Sequence, residues 1–232
     1  MSSPEATHMQ RSSDKRVVIT GGSAGLGLAM AKALIGHGAR VTAIARDAHR
    51  LAAAASIGAA TIAGDATDAA LMNRVVADEQ PDVLILNAGA RLPMGPIDEQ
   101  TWESFSAMWL SGGCIGAKRM QWFMAHSANA VSRQRGLGIH FQVILPMQVI
   151  GGTAFGQHIA SAYAEIEGVT PDHHILNTYG TVLLPEQVGE HVTELLNDPR
   201  YARGVAYGIR ANVGLVPLDV GTTRPTAGEA NR

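Results

Sequence analysis

The feature that most constrains this chain is a glycine turn set between a strand and a helix. Arg16–Thr20 (RVVIT) is a short apolar run rich in β-branched residues, which reads as a strand. Thr20-Gly21-Gly22-Ser23-Ala24-Gly25-Leu26-Gly27 follows directly, and a helical apolar pattern runs from Gly25 to Gly36. Glycines here allow a tight turn, and they let a phosphate group approach the backbone N–H groups at the helix N-terminus. The same residues spell G-x-S-x-G from Gly21 to Gly25, which makes Ser23 a rival candidate as a hydrolase nucleophile. That reading leaves Gly27 unexplained, and it puts the nucleophile at the first strand–helix turn with no sheet yet built. A ligand-free turn is the plain alternative to both.

The pattern then repeats. Arg40–Ala45, Ala59–Ala63 and Asp82–Leu86 read as further strands, separated by helical segments at Asp47–Ala55 and Asp68–Asp78, with Asp47 a helix cap. Strands alternating with helices mean βαβ units and a parallel sheet, so the expected fold is an α/β, Rossmann-type doubly wound domain. The second half is less regular. Gln100–Trp109 and Gly116–Arg133 read as helices, and Ile139–Leu145 as a strand stopped by Pro146. A long excursion from Met147 to Leu184 holds a helix near His158–Glu167. Pro185–Asn197 is a helix with proline in its first turn, and Val205–Ile209 is a last strand. Residues 1–14 and 221–232 read as loose tails around one domain at 15–220, and Met9 is an alternative start.

Composition narrows the function classes. With 232 residues, 46% hydrophobic and 16% charged, the chain can build a large core. A formal charge of −2 gives no reason to expect nucleic-acid binding. The single cysteine, Cys114, rules out a disulfide framework and a cysteine-rich zinc site, and the nine histidines form no metal-ligand spacing. No run approaches the roughly 20 apolar residues that span a bilayer, and the polar N-terminus does not read as a secretory signal, so a cytoplasmic setting is expected. Lysines occur only at Lys15, Lys32 and Lys118, whereas glycines number 26, a density that suits close packing of helices on a sheet.

Four motifs in order resemble the short-chain dehydrogenase/reductase family: T-G-x-x-x-G-x-G at Thr20–Gly27, Gly64-Asp65-Ala66 after the third strand, Asn87-Ala88-Gly89 after the fourth, and Ile139–Pro146 as the sixth strand with its closing proline. The likeness covers nearly everything between the tails. It implies a nicotinamide cofactor site made by Thr20, Gly21, Ser23, Gly25, Leu26, Gly27, Asp65, Ala66, Asn87, Ala88, Gly89, Pro146 and Val149, with Asp65 at the adenine edge. It also implies hydride transfer to or from a small carbonyl or alcohol. An acid at the end of the second strand would select NAD(H); here Ala45 is followed by Arg46, which can pair with a 2′-phosphate, so NADP(H) is expected over NAD(H). Asp47 as the NAD acid is the competing reading.

The sequence departs from the family in its catalytic part. The family uses a serine and a Y-x-x-x-K pair; here Cys114-Ile115-Gly116-Ala117-Lys118 puts a cysteine in the tyrosine's seat and leaves the serine without a counterpart. The resemblance gives Lys118 the ribose, against a surface lysine as the plain alternative. Cys114 reads either as a proton donor, with a reference pKa of about 8.5 against about 10 for tyrosine, or as a small apolar filler. Between Trp109 and Cys114 the family's fifth strand and a helix are lacking, about 20–40 residues at usual element lengths. A second register would make Ile139–Leu145 the fifth strand and Tyr163 the tyrosine. Glu167 then stands where a lysine belongs, so the first register is preferred. A non-catalytic dinucleotide-binding or interaction protein on the same fold is the alternative function. The apolar Met120–Met124 is either core or a subunit contact, because family members associate through this helix; no specific oligomer follows.

Overall fold

The computed structural model describes residues 13–89, 101–103 and 115–218. Its first half is four parallel strands with three helices: β1 (Arg16–Thr20), α1 (Gly25–Gly36), β2 (Arg40–Ala45), α2 (Ala48–Ser56), β3 (Ala60–Ala63), α3 (Ala69–Glu79) and β4 (Val83–Leu86). The strand order is β3-β2-β1-β4. Val17, Val18 and Ile19 of the central β1 are all buried, because a strand flanked on both edges and covered on both faces must be apolar throughout. Asp47 and Asp68 sit just outside their helices. Each accepts backbone N–H bonds from the first turn with its carboxylate, so α2 and α3 begin one residue later than the sequence pattern suggests.

The second half comprises α4 (Ile115–Arg135), β5 (Val143–Pro146), α5 (Ala154–Glu167), α6 (Pro171–Tyr179), α7 (Pro185–Asn197), a short 3-10 turn, β6 (Ala206–Arg210) and β7 (Gly214–Pro217). β5 pairs with β6 in parallel and β6 with β7 antiparallel, making a three-stranded sheet. Among the described residues β4 pairs only with β1, and no ladder joins it to β5. Leu86 is accordingly 77% exposed. The two sheets share a core: Val17, Ile19, Met30, Leu34, Leu183, Val188, Val192 and Ile209 form one buried cluster, against which Ile85 and Ile144 also pack.

That core closes over an intimate helix pair. A Cβ on Gly189 of α7 would lie 2.8 Å from the Ala29 carbonyl oxygen and 3.0 Å from the Ala33 methyl, both on α1. Small residues here set the distance between the two helices, as the glycine and alanine content suggests.

The strand expected from Ile139 starts only at Val143. Asn129, 2% exposed on α4, donates to the Phe141 carbonyl at 2.8 Å and accepts from the Phe141 N–H at 2.9 Å. Ser132 likewise donates to the Ile139 carbonyl and accepts its N–H. Two side chains thus claim the backbone groups that a sheet would have used. Most of the helix expected at Gln100–Trp109, the tail at 221–232 and residues 1–12 of the other tail lie outside the described residues; Phe123 and Met124, in the apolar stretch at 120–124, are exposed.

The amino end of the first sheet is braced by a carboxylate. Asp82 Oδ2 accepts the Arg16 backbone N–H at 2.8 Å, while the Asp82 N–H donates to the Arg16 carbonyl. The Arg16 N–H, foremost, holds the Asp82 carboxyl below its ordinary value. A carboxyl depressed in the folded state stabilises the fold above its unfolded value of about 3.9, and that contribution disappears as pH falls through the folded value. Asp82→Asn is therefore expected to lower the melting temperature at pH 7 and to flatten its decline between about pH 4 and 2, as read from thermal unfolding across that range.

Candidate functional site

The site lies at the carboxyl ends of β1 to β4, where the glycine turn leaves β1. Gly21 has φ +72°, and its N–H is bonded to the Ile44 carbonyl at 2.8 Å. A Cβ on Gly21 would lie 2.9 Å from Ala88 Cα; one on the buried Gly27 would lie 2.7 Å from Asn87 Nδ2 and would run into the Gly21 carbonyl oxygen. Both positions require glycine, because the turn is folded back against the end of β4.

Thr20 and Asn87 fasten that contact. Thr20 is buried, and its hydroxyl accepts the N–H groups of Asn87 at 3.0 Å and Ala88 at 3.1 Å while donating to the Ile85 carbonyl at 3.4 Å. The Asn87 amide donates to the Thr20 and Gly21 carbonyls. The Thr20 hydroxyl is spent inside the fold, so this residue shapes the site through the clamp rather than by touching a ligand with its side chain. Gly89 is exposed beyond the clamp.

The N-terminus of α1 differs from those of four other helices. Helices α2, α3, α5 and α6 are capped by the side chains of Asp47, Asp68, Thr153 and Thr170. α1 is preceded by Ala24, which offers no side-chain acceptor, and its first turn carries no acidic residue. The amide groups of an uncapped first turn, with exposed Gly25 at its head, form a cradle suited to an anion. Ser23 and Leu26 are half-buried beside it. These residues fit the diphosphate of a dinucleotide.

Arg46 and Asp65 lie at the ends of β2 and β3. Arg46 is exposed and makes no close ion pair among the described residues. Asp47 Oδ1 is committed to the His49 and Arg50 N–H groups. Asp65 Oδ1 accepts from the Thr67 N–H at 2.9 Å and its hydroxyl at 2.8 Å. Those two bonds come first, with the Arg46 charge a lesser contribution, in holding the Asp65 carboxyl below its ordinary range and therefore ionised. Ala66 follows it, half-buried.

The other half contributes through β5. Pro146 ends that strand opposite Ile209, and Val149 is buried with Ala160 and Ile175 in a small core of its own. The chain then reaches Thr153, the cap of α5, whose methyl would lie 3.8 Å from a Cβ on Gly25. This approach of distant parts of the chain has no signature in the sequence. Cys114 lies outside the described residues; Lys118 is in the first turns of α4, where only the backbone is described.

The second register fits this geometry poorly. A fifth strand would extend the first sheet beside β4, and among the described residues no ladder joins β5 to β4. Tyr163 lies ten residues along α5 from Thr153, about 15 Å at helical rise. Tyr163 also stacks on the buried His174, with centroids 5.3 Å apart, while Glu167 Oε2 lies 2.8 Å from His174 Nδ1. Both residues serve to join α5 to α6.

Comparison with known proteins agrees with this architecture. The sequence profile described as short chain dehydrogenase matches residues 15–131. A 3-dehydrosphinganine reductase of Arabidopsis thaliana, TSC10B, is 36% identical over 83 residues, which are 32% of this chain and 25% of that protein. The match thus spans a quarter of that relative. Among solved structures, levodione reductase superposes with a TM-score of 0.68 at 19% identity, covering 85% of this chain and 96% of that one. L-sorbose reductase from Gluconobacter frateurii, complexed with NADPH and L-sorbose, gives 0.60 at 17% identity over 88% and 97%. NAD+-bound xylitol dehydrogenase gives 0.64 at 16% identity over 86% and 99%. At such identities the structures speak for the fold. The profile, spanning half the chain and containing the glycine turn and its Asn87 clamp, speaks for descent: this chain belongs to the short-chain dehydrogenase family.

Proposed function

We propose that the chain binds NADP(H) at the turn between β1 and α1 and is an oxidoreductase acting on a small carbonyl or alcohol. The observation that carries this reading is the uncapped, glycine-built start of α1, held open by the Thr20–Asn87 clamp. The amide groups of the turn would hold the diphosphate. Arg46 would pair with the 2′-phosphate, and the ionised Asp65 would accept from the adenine amino group. Lys118 would hold the ribose, and Cys114 would stand at the proton-transfer position. NADP(H), when bound, supplies or takes up the hydride. The relative that reduces 3-dehydrosphinganine supports carbonyl reduction. A single cysteine suits a reducing, cytoplasmic setting.

One observation favours a second reading, a dinucleotide-binding protein without turnover: Cys114 stands four residues before Lys118 where the family has tyrosine. A thiol is much shorter than a phenol, which limits its reach to a substrate oxygen. Cys114→Tyr is expected to raise NADPH-dependent carbonyl reduction at least tenfold under the first reading and to leave it at background under the second.

The primary test is thermal unfolding with NADPH, NADH and neither. A ligand at 100 times its dissociation constant adds about 2.7 kcal/mol of stability. A shift with NADPH supports the proposal; a cooperatively folded chain that responds to neither cofactor overturns it. Arg46→Ala is expected to weaken NADPH binding by about tenfold to a hundredfold and to leave NADH binding unchanged, because only the 2′-phosphate contact is lost. Calorimetric titration of both cofactors reads this directly.

A further inference from the structure

The excursion between β5 and α7 is built as a separate piece, held at a narrow neck. Its small core of Val149, Ala160 and Ile175, ringed by Ile159, Tyr179 and Val182, is distinct from the main cluster. At the neck, Ile150 and Leu183 form an isolated parallel bridge, with the Gly151 N–H donating to the Leu183 carbonyl at 2.9 Å. Gln148 sits beside this bridge, 9% exposed. Its Nε2 donates to the Thr181 carbonyl at 2.9 Å, and its Oε1 accepts the Ala211 N–H at 2.9 Å. One buried amide therefore ties the exit of β5 to the returning strand of the neck and to the turn between β6 and β7. At the far side of the neck, Thr153 faces Gly25 of the glycine turn, close enough to touch a side chain placed there.

We infer that Gln148 is a positioning residue: its two hydrogen bonds seat the α5–α6 excursion on the glycine turn, so that cofactor binding and order in the excursion are coupled. The coupling rests on the proposed cofactor reading; the seating does not. The part-buried Thr181 carbonyl and Ala211 N–H share this amide as a partner, so removing it costs the neck both bonds at once. Because the excursion has its own core, loosening the neck lets it move as a unit rather than unfold the domain.

The test is hydrogen exchange on the full chain, with and without NADPH, for Gln148→Met and Gln148→Glu. Methionine matches the length and makes neither bond. Glutamate keeps an acceptor for the Ala211 N–H and sets an oxygen against the Thr181 carbonyl. Without cofactor, both variants are expected to speed exchange in residues 151–182 by about tenfold or more, while the amides of β1 and α1 exchange as before. Unchanged exchange in 151–182, or an equal acceleration throughout the chain, overturns the seating role. With NADPH, the wild-type excursion is expected to exchange more slowly, and the variants are expected to bind NADPH about tenfold more weakly. If the wild type binds no NADPH while the local acceleration is seen, the cofactor reading and the coupling fall and the seating stands. If NADPH binds equally well to the wild type and to loosened variants, the coupling alone falls.

Discussion

Gly27→Val is expected to abolish NADPH-induced stabilisation and to lower the stability of the protein itself. Any Cβ at this buried position meets the Gly21 carbonyl and the Asn87 amide, and both belong to the clamp that folds the glycine turn onto β4. These are backbone and clamp atoms, so the strain has no flexible side chain to absorb it. Overpacking of this kind costs about 1–3 kcal/mol or more. The larger effect is on binding, because a valine that forces Gly21 outward moves the first-turn amides that would receive the diphosphate. Thermal unfolding with and without NADPH separates the two: the apo midpoint falls, and the ligand increment vanishes. A variant that keeps the increment would place the cofactor elsewhere.

Gly189→Leu is expected to be the most damaging single substitution away from the site. Its Cβ would press on the Ala29 carbonyl and the Ala33 methyl at the contact between α1 and α7, and the rest of the leucine has no space between the helices. The cost is about 3 kcal/mol or more, a large share of the 5–15 kcal/mol by which a typical domain is stable. Denaturant unfolding should show the loss as a lower midpoint with an unchanged slope. Since α1 carries the glycine turn at its head, any variant that still folds should also bind NADPH less tightly. Gly189→Ala, which adds only the Cβ, is expected to fall between the two.

The first half of this fold is legible because its information is local. The β-branched run Arg16–Thr20 and the glycines that follow define β1 and α1 with the observed limits. Pro185 marks the start of α7 for a similarly local reason, since proline fits a first helical turn. The strand at 139–142 was misleading because alternating Ile139, Phe141 and Val143 carry a strand pattern, whereas Asn129 and Ser132 decide the outcome from a helix earlier in the chain. Helix α6 is hidden by Asp172, His173 and His174, which interrupt the apolar period even though His174 is buried. β7 is four residues long and ends in proline, too short a pattern to read. In the site, the glycine turn, Asp65 and the Asn87 motif are recognisable by spacing. The commitment of the Thr20 hydroxyl, the seat of Thr153 on Gly25 and the neck at Gln148 depend on side chains meeting across the fold, and no local pattern records them.

The two sheets are joined by side-chain packing, through the α1–α7 pair and the shared cluster, with no ladder between β4 and β5 among the described residues. A hydrogen-bonded ladder ties its strands to a register, and a change of one residue turns every side chain to the wrong face. Apolar packing imposes no such count. The two sheets can therefore shift slightly against each other without turning a core side chain to the wrong face.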